Sequence, residues 1–149
     1  MGAETSATHL IFFIVAMLLA ASVAGIIYAN VSAVTDAAIK GGNTLSNQLK
    51  TDITIINDPS KIPKNGISYT FYVKNTGKSN LAHELVTVII NGAVIPDSYV
   101  NKTIIGGSTV WRPADVLQLD VTYASMPSGD NNVRVITENG IDDSLNFFI

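Results

Sequence analysis

The chain has 149 residues, only 14% of them charged, a net charge of -3 and no cysteine. That length holds one domain and an appended segment. Scattered, slightly acidic charge excludes a nucleic-acid surface, and the lack of cysteine excludes disulfide scaffolds, thiolate zinc sites and thiol catalysis.

The first element dominates the chain. Residues 10–29, L-I-F-F-I-V-A-M-L-L-A-A-S-V-A-G-I-I-Y-A, carry no charge. A helix of about twenty such residues spans the hydrocarbon core of a bilayer. A secretory signal has a basic start and a shorter apolar run. Here only Glu4 and His9 ionise before or at the run, so a retained single-pass anchor is expected. Lys40 and Lys50 are the first basic residues, which leaves charge bias almost nothing to orient. Ile27, Val31, Val34, Ala38, Leu45 and Leu49 continue the helical spacing. The pattern predicts a helix over residues 5–39, a bend or end at Gly41-Gly42, and a turn or linker to residue 50. Ala16, Ala20 and Ala24 form one row of small residues, and Ala21, Gly25 and Ala29 form a second. Such rows let helices approach closely in lipid, although alanine is also simply common in membrane helices.

From residue 51 the period changes to two. Ile67, Tyr69, Phe71 and Val73 alternate with polar positions, as do Leu117, Leu119, Val121 and Tyr123. Residues 84–91 are apolar on both faces, with Leu85 and Ile89 against Val86, Val88 and Ile90. One face fills the core, and the other needs cover. Val86, Val88 and Ile90 are therefore the expected self-association surface, unless a loop of the same chain folds over them. Asn91-Gly92 and Asn139-Gly140 read as two-residue type I′ hairpins. Shorter strands are expected at residues 52–56, 102–105 and 109–111. Seven or eight short strands predict a mainly β fold, an immunoglobulin-like antiparallel sandwich, behind the transmembrane helix. The division expected is anchor and linker over 1–50 and an extracytoplasmic domain over 51–149.

No catalytic constellation emerges. His9 and His83 are far apart, and no nucleophile elbow, metalloprotease motif or P-loop is present. Asp142-Asp143 reads as a solvated pair beyond a turn, without the spacing of a calcium loop. No cofactor, metal, nucleic acid or small-molecule substrate is expected. Asn30-Val31-Ser32 and Asn101-Lys102-Thr103 match the N-glycosylation sequon and are candidate acceptors, Asn101 in an expected exposed loop. Trp111 reads as core or, alternatively, as an exposed contact anchor.

The start of the chain, with T-H-L-I-F-F-I-V-A-M-L-L-A-A-S-V-A-G over residues 8–25, is similar to the N-terminal helix of archaeal flagellins (archaellins) and their accessory proteins. F-Y-V-K-N-T-G over residues 71–77 and V-I-T-E-N-G-I-D-D-S-L-N-F-F-I over residues 135–149 resemble the β-domain of the archaellum accessory protein G family. The related F accessory protein shares this layout. The resemblance implies a static, stator-type part of the motility machinery. It implies a β-domain between membrane and S-layer, a homo-oligomer, an F-type partner, and contact with S-layer protein through that partner. Archaellins carry a basic leader removed by a dedicated peptidase. Gly2-Ala3-Glu4 lacks those basic residues, so an unprocessed anchor in membrane lipid is expected. The alternatives are a minor pilin- or archaellin-like filament subunit and a membrane-anchored ligand-binding module. The last would need an exposed aromatic platform.

Overall fold

The computed structural model describes residues 2–149, and the side chains of residues 5–149. The reading of residues 1–4 as lacking a processing site falls on side chains outside that range. Two units form, Met1–Asn43 and Thr44–Ile149.

The first helix, α1, runs over Gly2–Lys50 without a break at Gly41-Gly42. The expected bend is therefore corrected. Two glycines cost about 1 kcal/mol each relative to alanine, but the helix is capped beyond them. Thr51 donates from Oγ1 to the Asn47 carbonyl at 2.8 Å and from its amide to the Gln48 carbonyl at 3.1 Å. The Lys78 amide donates to the Lys50 carbonyl at 2.7 Å. These bonds satisfy carbonyls that a helix end leaves without partners.

Nine strands follow α1. They are β1 (Ile53–Ile55), β2 (Lys64–Asn65), β3 (Ser68–Asn75), β4 (Thr87–Ile90), β5 (Ala93–Ile95), β6 (Val100–Ile104), β7 (Val116–Thr122), β8 (Asp130–Ile136) and β9 (Asp142–Phe148). They make two antiparallel sheets. One has the order β1-β3-β7-β6, with β2 also paired to β3; the other has the order β5-β4-β8-β9. The sandwich expected from the sequence is thus present. The segment at residues 109–111 contributes only a single bridge, Leu81 to Trp111. None of the five prolines falls inside a strand, because each would cost a ladder bond there.

The core comes from alternate residues of both sheets. Tyr69, Phe71 and Val73 from β3 and Leu117, Leu119 and Val121 from β7 face Val88, Ile90, Val133, Val135 and Phe147. Full burial of each aliphatic side chain is worth about 1.5–3 kcal/mol. Phe71 and Phe147 meet edge to face across the sheets, with ring centroids 5.4 Å apart. Trp111 is fully buried, and its indole N–H donates to the Asp115 carbonyl at 3.0 Å. The core reading of Trp111 holds.

The two hairpins differ. At Asn91-Gly92 both φ angles are positive, 50° and 80°, and Ile90 pairs with Ala93, as a type I′ turn demands. At the second, only Gly140 is positive, at 77°. Its amide donates to the Thr137 carbonyl at 3.0 Å, and the Thr137 amide donates to the Ile141 carbonyl at 2.9 Å. This is a three-residue loop with a glycine bulge, not the expected two-residue turn.

Candidate functional site

Two features stand out: the surface of α1 and the place where its last turn meets the sandwich. Large apolar side chains from Leu10 to Ile27 are all exposed, at 47–68%. Over an 18-residue window α1 reaches a mean hydropathy of 2.8, and none of that window is buried by the chain itself. By length and composition this helix can cross a membrane. Hydroxyls along α1 satisfy themselves: Ser22 Oγ donates to the Leu18 carbonyl and Thr35 Oγ1 to the Val31 carbonyl, each at 2.8 Å. Self-satisfaction of this kind lets a polar side chain sit in lipid. Ala16, Ala20, Ala21, Ala24, Gly25 and Ala29 all lie on this exposed helix surface. A Cβ added at Gly25 would meet nothing within 4 Å.

The helix end is seated in two loops of the sandwich. The loop after β3 supplies Thr76, Gly77 and Lys78. The Thr76 and Gly77 amides donate to the Asp52 carbonyl at 3.0 and 2.9 Å, and Thr76 Oγ1 donates to Asp52 Oδ2 at 2.6 Å. Approach is so close that a Cβ on Gly77 would lie 2.5 Å from the Lys50 carbonyl oxygen. Asn75 holds this loop in shape from below. It is fully buried; its Nδ2 donates to the Ser79 and Trp111 carbonyls and its Oδ1 accepts from the Gly77 amide. The β8–β9 loop supplies Asn139. Gln48 Nε2 donates to the Asn139 carbonyl at 3.1 Å, and Asn139 Nδ2 donates to Thr51 Oγ1 at 2.8 Å. The sequence reading did not identify this seat. Its signal lay in two motifs that carried the family resemblance, N-T-G at 75–77 and N-G at 139–140.

The expected self-association surface is corrected. Val86, Val88 and Ile90 are buried to 1% exposure or less, inside the sandwich. The outward face of this segment is the other one, with Leu85 exposed and Thr87 and Ile89 half-buried. Cross-strand partners explain the choice. Val88 pairs with Ile95 and Val135, both core residues, whereas Ile89 pairs with the exposed Val94 and Arg134.

Asn30 lies on α1 and Asn101 lies in β6; both are exposed. Asn101 is therefore in an edge strand and not the expected loop. Of the carboxylates at 142–143, Asp142 is exposed, as expected, and Asp143 is half-buried; each has a partner. Arg134 donates from Nε and Nη2 to Asp142 at 2.7 and 3.0 Å. That hydrogen bond holds the Asp142 carboxyl below its usual pKa, reinforced by the guanidinium charge. Asp143 Oδ2 accepts from the Ile55 amide at 2.8 Å, which latches β9 to β1 of the opposite sheet. His9 is exposed on α1, and His83 sits half-buried in a 3-10 turn over His83–Leu85. Among the described residues no group of three or more His, Cys, Asp or Glu side chains could hold a metal ion.

A long, exposed, apolar N-terminal helix followed by an immunoglobulin-like sandwich defines a class: two-part helix-plus-β-domain proteins. The archaeal-type flagellin family model matches residues 3–147, and the chain belongs to that family. It is 32% identical over 151 residues to a putative flagella-related protein G of Methanocaldococcus jannaschii, covering 99% of this chain and 97% of that protein. It is 31% identical over 140 residues to a putative flagella-related protein G of Methanococcus voltae, covering 90% of each. In fold it is similar to the archaellum periplasmic stator protein FlaG from Sulfolobus acidocaldarius. That match has a TM-score of 0.51 and 19% identity, and covers 65% of this chain and 99% of that one.

Proposed function

We propose that the chain is a non-enzymatic, stator-type component of the archaeal motility machinery. Residues 1–50 act as the anchor and residues 51–149 as the external domain between membrane and S-layer. Two flagella-related G proteins at over 30% identity along nearly the whole chain support this reading. The observation that carries it is mechanical. Within the unit that starts at Thr44, the chain at the end of α1 is bonded to two loops of the β-domain: Gln48 to Asn139, Lys50 to Lys78, and Asp52 to Thr76 and Gly77. A part that resists torque needs such a joint. Self-assembly would use the small-residue rows around Gly25 and an F-type partner would connect the β-domain to S-layer protein.

Affinity purification from native membranes tests this. Archaellum motor and accessory proteins should co-purify, together with further copies of this chain. Their absence, with the protein intact and membrane-bound, would overturn the proposal. A second reading, a minor filament subunit, is favoured by one observation: the flagellin-type family model spans both helix and β-domain. A mature N-terminus generated by cleavage just before the apolar helix, read by intact-mass spectrometry, would select it.

A further inference from the structure

We infer that the end of the second sheet, where the β4–β5 turn meets the start of β8 and the end of β9, binds a neutral carbohydrate. The cleft there has a volume of about 500 Å³ and is lined by Asn91, Asp130, Asn131, Asn132 and Asn146. Asparagine is depleted in strands, yet three of these four asparagines sit in β8 and β9. Part of the amide chemistry is structural. Asn91 Nδ2 donates to Asn131 Oδ1 at 2.8 Å, Asn91 Oδ1 accepts from the Asn132 amide at 2.9 Å, and Asn131 Nδ2 donates to the Pro127 and Gly129 carbonyls. These bonds make a rigid floor.

The outward groups have capacity to spare. Asn132 Nδ2 donates to Asn146 Oδ1 at 2.7 Å. That leaves the Asn146 amide N–H groups, the Asn132 carbonyl oxygen and the Asp130 carboxylate directed to solvent, among the described residues. Two N–H donors beside two oxygen acceptors match the paired donor and acceptor character of vicinal hydroxyls. Among the described residues no Lys, Arg or His lines the cleft. Arg134, the nearest basic residue on this face of β8, is engaged by Asp142. A phosphate, sulfate or acidic sugar would therefore meet only amides and a carboxylate, so the ligand class is neutral.

The second element of such a site is an apolar platform. Phe148 follows Asn146 on the same outward face of β9 and is cross-strand partner of Asp130. It is 61% exposed, while its neighbour Phe147 is in the core. An exposed ring face attracts the polarised C–H groups of a sugar. Ring and amides are thus one strand repeat apart, about 7 Å, roughly the span of one hexose unit.

The test uses the full chain in lipid nanodiscs, because glycoside detergents would compete. Neutral gluco-, manno- and galacto-oligosaccharides at millimolar concentration are titrated by saturation-transfer NMR, with sorbitol as the open-chain control. At least one oligosaccharide should bind, with transfer strongest to ring C–H protons. Asn146→Ala should weaken that binding at least tenfold, and Phe148→Ala should abolish the transfer. Both variants should melt as the parent does, since both side chains are exposed. Val94→Ser, on the same sheet but outside the cleft, should change nothing. The proposal is overturned if no oligosaccharide binds the parent protein, or if Asn146→Ala and Phe148→Ala both bind as the parent does. Calcium binding to the cleft amides without any sugar response would overturn it too, in favour of a cation site.

Discussion

Gly77 has no room for a methyl group. Its Cβ would meet the Lys50 carbonyl oxygen at 2.5 Å and the Asp52 amide nitrogen at 2.6 Å, both backbone atoms. Neither can rotate away, so relief means lifting the helix end from its seat. Gly77→Ala is expected to destabilise the β-domain by about 1–3 kcal/mol, the usual cost of overpacking. Trp111, the single tryptophan and fully buried, reports this by its fluorescence during thermal unfolding. An unchanged midpoint would mean that the seat yields without cost. Sequence alone marks N-T-G as a turn; it cannot say that the glycine is required by a contact with Lys50, far back in the chain. The inverted face of β4 has a similar origin. Val86, Val88 and Ile90 are no more apolar than a core or an interface requires, and only pairing with Ile95 and Val135 decides which way they point.

At the scale of elements, the β8–β9 hairpin carries a pH-sensitive tie. Asp142 has its pKa lowered in the folded state, first by the hydrogen bond from Arg134. A carboxyl with a lowered folded pKa binds fewer protons folded than unfolded. Its contribution is complete above the ordinary carboxylate pKa and disappears as pH falls through the folded value. Both partners are well exposed, with side-chain exposures of 50% and 32%, so the gain is small. Asp142→Asn should lower the melting temperature slightly at neutral pH, and the difference from the parent should vanish in strong acid. A difference that persists in acid would show that the asparagine disturbs packing instead. The strands with strict alternation, β3 and β7, were readable because one face is wholly buried. The run of α1 through Gly41-Gly42 was not, because what sustains it is a set of caps from Thr51 and Lys78 that local propensity does not contain.

For the whole molecule, the exposed apolar helix demands cover by lipid or by other helices. The proposed assembly places Gly25 between neighbouring copies. Nothing within the chain contacts a Cβ at that position, so Gly25→Leu leaves each copy folded. Cross-linking of the membrane-inserted protein should fall several-fold in this variant, with the Trp111 fluorescence of the β-domain unchanged. Undiminished cross-linking would remove the helix from the contact between copies. The two-layer architecture was readable from period-two runs and turn residues, since a sheet with one apolar face must pack against another. The amide cleft was not: Asn91, Asn132 and Asn146 come from three separate elements and converge only after the second sheet is formed.

The seat also sets a load path. A pull on the chain at Lys50 would, in an ordinary tethered domain, fall first on β1, a three-residue edge strand. Here Lys50 and Asp52 are bonded directly to Thr76, Gly77 and Lys78, at the end of β3. Tension therefore passes around β1 into β3, which is held along its length by β7 in the middle of the sheet. At the same time the Asp143 latch ties β1 itself to β9. The short edge strand β1 is thereby spared the direct pull, and the latch holds it in place from the other sheet.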